Sequence, residues 1–274
     1  MKKIFLVLLF PTLLFAYSRI ISLAPSITET LFFVGAGKQV VGVSRFCQYP
    51  KEAQKKTKIG GYLDLNYEKI LQLKPDLVLS LDTDKTVQKK IKKLNIPVSA
   101  VTQTSLEEIK TSILTIGKLT GHVKEAKHKL KEIEKNIKQK PLSSQNSVLL
   151  IVGRSIGNLN QIYVAGNKGF YNEIISLSGA TNAFSAKMKI PYPVINMESL
   201  ISLDPDIIIE LIDNRGTKKI IKQKLKDWNA FPSLRAVKNN HIYYIQKDYS
   251  TIPGPRIFKL VNDIHNILKK SSAH

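Results

Sequence analysis

One cysteine, one tryptophan, three methionines and five dispersed histidines are all that this 274-residue chain holds of several residue types that build metal and redox sites. A lone Cys47 excludes an internal disulfide, so apolar cores must hold the fold. In Arg45-Phe-Cys-Gln-Tyr-Pro50 that thiol either packs inside a turn or reaches a ligand, and burial is expected. His122, His128, His241, His265 and His274 have no ligand-like clustering. No Walker loop, His-Glu-x-x-His, Gly-x-Ser-x-Gly or usefully spaced pair of catalytic acids is present, so the sequence signals no enzyme class. Apolar runs are short as well. The longest opens the chain: Lys2 and Lys3 precede Ile4–Phe15, apolar apart from Thr12, and Ala16 follows. A bilayer span needs about 20 residues, so residues 1–16 are expected to be a cleavable export signal. No cysteine follows it, which argues against a lipid anchor.

Acidic residues are scarce too, 21 against 42 lysines and arginines, a net charge of +21. The lysines are spread over helix faces such as Lys124-Glu-Ala-Lys-His-Lys-Leu-Lys131, without the interleaved aromatics of a nucleic-acid platform. The charge therefore reads as solvated surface, and nucleic acid is not an expected partner.

What the chain does have is a repeat. Tyr67-Glu-Lys-Ile-Leu-Gln-Leu-Lys-Pro-Asp-Leu-Val-Leu-Ser-Leu81 returns 130 residues later as Met197-Glu-Ser-Leu-Ile-Ser-Leu-Asp-Pro-Asp-Ile-Ile-Ile-Glu-Leu211. Each copy reads as a helix opening on a glutamate, Glu68 or Glu198, then Leu-x-Pro-Asp and an apolar strand. Two copies at so long a spacing imply two similar lobes rather than a solenoid, with function at the cleft between them. Around the copies, strands and helices alternate, many of the strands largely apolar (Val40–Val43, Asp76–Leu81, Val98–Val101, Ser147–Val152, Asp206–Leu211, His241–Ile245). That order predicts α/β lobes built on mostly parallel sheets. Ser26-Ile-Thr-Glu29 fits a capping box at the first helix. Between the lobes, Leu106, Ile109, Ile113, Ile116, Leu119, Val123, Ala126, Leu130, Ile133 and Ile137 recur in steps of three or four. The spacing predicts one long rigid helix of roughly 35 residues joining the lobes, starting from a box at Thr104–Glu107. The expected organisation is thus a signal peptide at 1–16, an N-terminal lobe at 17–103, a connecting helix at 104–140 and a C-terminal lobe at 141–274.

Arg19-Ile-Ile-Ser-Leu-Ala-Pro-Ser-Ile-Thr-Glu29, Gly42-Val-Ser44, Tyr49-Pro50, the two Leu-x-Pro-Asp strands and Tyr192-Pro193, in this order around a long helix, resemble the periplasmic substrate-binding proteins of ABC importers. The class is the one with a single long connecting helix, whose members carry cobalamin, haem, ferric siderophores or metal ions. The likeness spans Arg19 to Leu268 and is greatest to the cobalamin-binding branch. It implies an extracytoplasmic monomer in the periplasm, without resident cofactor or catalytic residues. The protein would deliver a corrinoid, or alternatively haem or a ferric siderophore, to an inner-membrane permease with a cytoplasmic ATPase. The dispersed histidines disfavour the zinc and manganese receptors of the class. A free-metal receptor stays open through carboxylates or Cys47. Tyr49, Tyr62, Tyr163 and Tyr192 stand where the branch has aromatic ligand contacts, and Asp248 matches an acidic one. Leu81 and Ile252 fall where the branch has tryptophan and arginine. Glu68 and Glu198 would dock onto arginines of the permease, one per lobe. Arg256 is expected to orient the last helix.

Overall fold

The computed structural model describes residues 16–137, 146–185, 189–212 and 216–272. The expected signal segment therefore lies almost wholly outside the described residues. The first lobe runs β1 (Ile20–Ser22), α1 (Pro25–Phe33), β2 (Val40–Val43), α2 (Lys51–Gln54), β3 (Thr57–Lys58), α3 (Tyr67–Gln72), β4 (Leu77–Leu81), α4 (Lys85–Lys92) and β5 (Val98–Val101). Its strands form a parallel sheet in the order β3-β2-β1-β4-β5. β1 sits at the centre and is buried along its whole length, as expected of a strand covered on both faces.

Two helices follow, α5 (Leu106–Leu119) and α6 (Val123–Ile137). The second lobe holds β6 (Ser147–Gly153), β7 (Ile162–Val164), α7 (Phe170–Leu177), β8 (Thr181–Asn182), β9 (Val194–Ile195), α8 (Met197–Leu203), β10 (Ile207–Leu211), α9 (Lys218–Asp227), α10 (Arg235–Lys238), β11 (Ile242–Ile245) and α11 (Lys259–Ser271). Its sheet has the order β11-β10-β6-β7-β9, with β8 also beside β6. β7 is antiparallel to both neighbours, so β9 again runs in the direction of β6. The fold is α/β with two similar lobes, one sheet parallel and the other mixed.

The repeat is a three-dimensional one. Asp76 accepts hydrogen bonds from the Ser18 amide (2.8 Å) and hydroxyl (2.8 Å), and Asp206 accepts the same pair from Ser147 (2.8 and 2.8 Å). Each carboxylate thereby buckles the foot of β4 or β10 to the foot of the central strand beside it. Burial works against the Asp76 charge, but the Ser18 and Arg19 amides and the Ser18 hydroxyl outweigh it and hold its pKa below the ordinary range. The residue before each proline, Lys74 (φ 44°) or Asp204 (φ 34°), is left-handed, turning the chain from helix to strand in both lobes. α3 and α8 are both capped by an asparagine, Asn66 accepting from the Lys69 amide and Asn196 from the Ser199 amide.

The unbroken connecting helix is corrected. Gly121 (φ +78°) turns the chain between Leu119 and Val123, and α6 folds back along α5. A Cβ on Gly117 would lie 2.5 Å from that of Ala126, and Lys110 pairs with Glu134 at 3.4 Å. The apolar period misled because Leu119 and Val123, on either side of the three-residue turn, are four positions apart, the same step that continues a stripe along one helix. The capping box is Ser105–Glu108, one position later than expected. α5 lies in the core cluster of the first lobe through Leu106, Ile109, Ile113 and Ile116, and that cluster continues unbroken into Ile174, Phe258 and Leu260 of the second lobe. One core cluster is thus common to both lobes, beside a separate one within each.

Candidate functional site

In both lobes the cleft edge is set by where parallel strands end. The segments leaving β1, β2, β5, β6 and β11 carry side chains to the same edge, the usual ligand-binding side of an α/β sheet. Tyr49 follows β2, Tyr62 follows the Gly60-Gly61 turn after β3, Tyr163 lies on β7 opposite Gly153 at the end of β6, and Asp248 follows β11. Tyr192 sits in the loop before β9. All four tyrosines are about half exposed, offering ring faces beside solvent.

The structure joins Tyr49 and Asp248 through Arg256. The guanidinium lies 3.5 Å from the centre of the Tyr49 ring, donates to Asp248 Oδ2 (2.7 Å), and forks onto both oxygens of Glu29 (2.9 and 2.6 Å). Glu29 belongs to α1 of the first lobe and Arg256 to the second, so one cation crosses the cleft. Arg256 does not orient the last helix, which starts at Lys259; it clasps the lobes. Ser26 and Glu29 likewise form no capping box. Their side chains are drawn away, the Ser26 hydroxyl to Gln103 Oε1 (2.6 Å) and the Glu29 carboxylate to Arg256. Burial pushes the Glu29 pKa up and Arg256 only partly offsets it. Burial lowers that of Arg256, but Glu29 and Asp248 outweigh it and raise it. Beside this clasp the Phe170 amide donates to Thr104 O (3.0 Å) and the Leu106 amide to Glu173 Oε2 (2.8 Å), closing the junction at a second point.

Among the described residues no ring contact links Tyr62, Tyr163 and Tyr192 to one another. Tyr62 lies against Asp84, whose pKa is raised by burial and opposed by the Thr83 side chain and the Tyr62 hydroxyl. Its loop is fastened by the Arg45–Asp64 ion pair and by the Gly61 amide donating to Asp64 (3.2 Å). Tyr192 packs edge-on against Tyr171, centroids 6.1 Å apart, and burial raises its pKa. Gly166 makes room for its loop: a Cβ there would stand 1.7 Å from the Ile190 carbonyl oxygen. Cys47 is fully buried, its sulfur within 3.0 Å of the Thr28 hydroxyl and 3.2 Å of Ser44, with its pKa raised by that burial. It packs the turn, as expected.

A charged cluster under the second-lobe edge had no local sequence signal. Glu210 on β10 pairs with both Arg154 after β6 and Lys224 on α9, all three side chains almost fully buried, with Asp227 completing the set at 2.5 Å from Arg154. In the repeat Glu210 falls on Ser80, a neutral residue that is fully buried with its hydroxyl unpaired. That mismatch was the available clue. Among the described residues, the arginines at the cleft edge, Arg45, Arg154 and Arg256, are thus each paired with carboxylates of the chain itself.

Glu68 and Glu198 are exposed in the first turns of α3 and α8, the helices that follow the edge strands β3 and β9. Neither meets a cation among the described residues. Grooves of 670 and 720 Å³ flank the end of α6, and of the expected ligand residues only Tyr49 lines either. Among the described residues no group of three His, Cys, Asp or Glu side chains could hold a metal ion, and no helix is long and apolar enough to cross a membrane.

Two α/β lobes of this topology, clasped across their junction, are the architecture of a solute-binding protein. The periplasmic binding protein family model matches residues 20–249, and the chain belongs to that family. It is 31% identical over 258 residues to an uncharacterised ABC transporter substrate-binding lipoprotein of Bacillus subtilis, covering 90% of this chain and 78% of the relative. It is 26% identical over 249 residues to a vitamin B12-binding protein of Vibrio parahaemolyticus, covering 90% and 87%. Among solved structures, a possible iron-binding periplasmic solute-binding protein of Staphylococcus epidermidis superposes with a TM-score of 0.78 at 30% identity, covering 93% and 99%.

Proposed function

We propose that this protein is the extracytoplasmic solute-binding component of an ABC importer, capturing a corrinoid such as cobalamin between its lobes and delivering it to the inner-membrane permease. Residues 1–16 would export it and be removed. The ATPase behind the permease would supply the energy, the binding protein itself performing no chemistry.

The observation that carries the corrinoid reading is the combination of half-exposed tyrosines with described cleft-edge arginines, Arg45, Arg154 and Arg256, that are already paired within the chain. A corrinoid presents a broad face with an amide fringe. Tyrosine meets the face with its ring and the fringe with its hydroxyl, at small entropic cost. Haem and ferric siderophores carry carboxylates or other anionic groups and call for free cations. Freeing Arg256 for them would strand Glu29 in the core. Arg256 leaves Asp248 Oδ1 free to accept from an amide of the fringe while holding Oδ2. Haem remains the second reading because tyrosine can ligate its iron directly.

Titration of the mature protein with cyanocobalamin, and with haemin in parallel, followed by absorbance and calorimetry, tests the reading. Saturable one-to-one binding of the corrinoid alone is expected. Binding of haemin alone, or of neither, overturns it.

A further inference from the structure

The matched helices α3 and α8 share more than a glutamate. α3 buries Ile70 and turns Leu71 outward, 47% exposed; α8 buries Leu200 and turns Ile201 outward, 53% exposed. Leu71 and Ile201 are 130 residues apart, the spacing of the repeat, and each lies three positions after its glutamate. Positions three and four apart share a helix face. Glu68 therefore shares its face with Leu71, and Glu198 with Ile201. Met197, 39% exposed, extends the apolar patch toward the start of α8, whereas Tyr67 at the start of α3 packs partly buried against the first-lobe core. A single exposed aliphatic side chain is ordinary. An exposed aliphatic at the same register of two equivalent helices, beside a carboxylate on a strongly basic protein, is a repeated two-part surface element.

We infer that Leu71 and Ile201 are apolar anchors of the docking surface, one per lobe. The partner they fit is a membrane permease presenting two equivalent sockets, each an apolar pocket next to a basic side chain. This rests on the docking reading of Glu68 and Glu198 and deepens it. The carboxylates steer and orient the encounter across solvent, a long-range and salt-sensitive effect. The anchors act only on contact, where burial of apolar area slows dissociation. The two helices begin at the cleft edge of opposite lobes, each after an edge strand. The element is thus duplicated on either side of the cleft mouth, where a two-fold partner would meet it.

The test uses the importer's permease–ATPase complex in nanodiscs and measures its affinity for the full-length mature protein. Leu71→Ser and Ile201→Ser should each weaken binding about tenfold, and together about a hundredfold, chiefly through faster dissociation. Ligand affinity and melting temperature should not move, since neither side chain is buried in the fold. Glu68→Lys with Glu198→Lys, measured alongside, should lower the association rate and its salt dependence. Wild-type affinity in both serine variants, with binding lost on charge reversal, overturns the anchors and leaves the glutamates standing. Unchanged binding in all variants overturns both. A parallel fall in ligand affinity of the serine variants also overturns the anchors, by assigning them to the cleft.

Discussion

Removing Arg256 from the clasp gives a stability change whose size and pH dependence follow from the geometry. The Glu29 side chain is 2% exposed and that of Arg256 11% exposed. Arg256→Met leaves the Glu29 carboxylate buried without its cation, and stranding a buried charge costs about 3–5 kcal/mol. A carboxylate can escape by taking a proton. The escape costs about 1.36 kcal/mol for each unit between its ordinary pKa of 4.5 and the ambient pH. The ceiling is therefore about 3.4 kcal/mol at pH 7 and about 0.7 kcal/mol at pH 5. The sign is that of a raised carboxyl: folding of the variant binds a proton, so its stability is full below pH 4.5 and is lost as pH rises through the raised pKa. Glu29→Gln should cost less, about 1–2 kcal/mol, since Arg256 keeps Asp248 and the Tyr49 ring. Combined with Arg256→Met it should recover most of the loss at pH 7. Urea unfolding of the four proteins at pH 5 and pH 7 measures all of this. A defect of Arg256→Met equal at both pH values, or a double variant that merely sums the singles, would refute the reasoning.

Other expectations concern the buckles, the Tyr192 loop and the thiol. Asp76→Asn should cost about 1–3 kcal/mol at pH 7. The wild-type advantage should fade as pH drops below 3.8 toward the lowered pKa of Asp76, the sense for a depressed carboxyl; unfolding at pH 7 and pH 3 checks it. Gly166→Ala should lower stability by about 1–3 kcal/mol and displace the loop carrying Tyr192, weakening the bound ligand in a cyanocobalamin titration. Cys47 should resist Ellman's reagent in the folded protein and react fully in denaturant, as a buried thiol with a raised pKa must.

The lobes were legible because their signals are local. Leu-x-Pro-Asp repeated with its helix and strand predicted two equivalent units, and the apolar strands gave their positions to within a residue or two. The α5–α6 hairpin was missed because hydrophobic period reports a buried stripe and does not report the direction of the helix carrying it. Gly121, a glycine inside an otherwise continuous stripe, was the visible signal. The cleft was half legible. Tyr49, Tyr62, Tyr163, Tyr192 and Asp248 came through resemblance; the structure puts Tyr49, Tyr62 and Asp248 after strand ends, Tyr163 opposite the end of β6, and Tyr192 before β9 against Tyr171. Glu29 was read as a cap because Ser26 stands three residues before it, whereas its real partner lies 227 residues away. No window along the chain contains both. The Glu210–Arg154–Lys224 set escaped for the same reason: a charge in an apolar strand advertises itself, but its partners do not.

The distance in sequence between Glu29 and Arg256 sets an order of assembly. Every strand of the first sheet is present once residue 101 has been made, whereas the guanidinium that crosses the cleft is among the last twenty residues of the 274. Domains generally fold as units, the N-terminal one first during synthesis. A growing or truncated chain can therefore own a complete first sheet, most of the second and all four tyrosines while lacking the Arg256 ion pair and the α11 side chains of the shared core. Without Arg256 the lobes would still be joined by their shared core and by the Phe170–Thr104 and Leu106–Glu173 bonds, but Glu29, Asp248 and Tyr49 would have lost the one cation that gathers them.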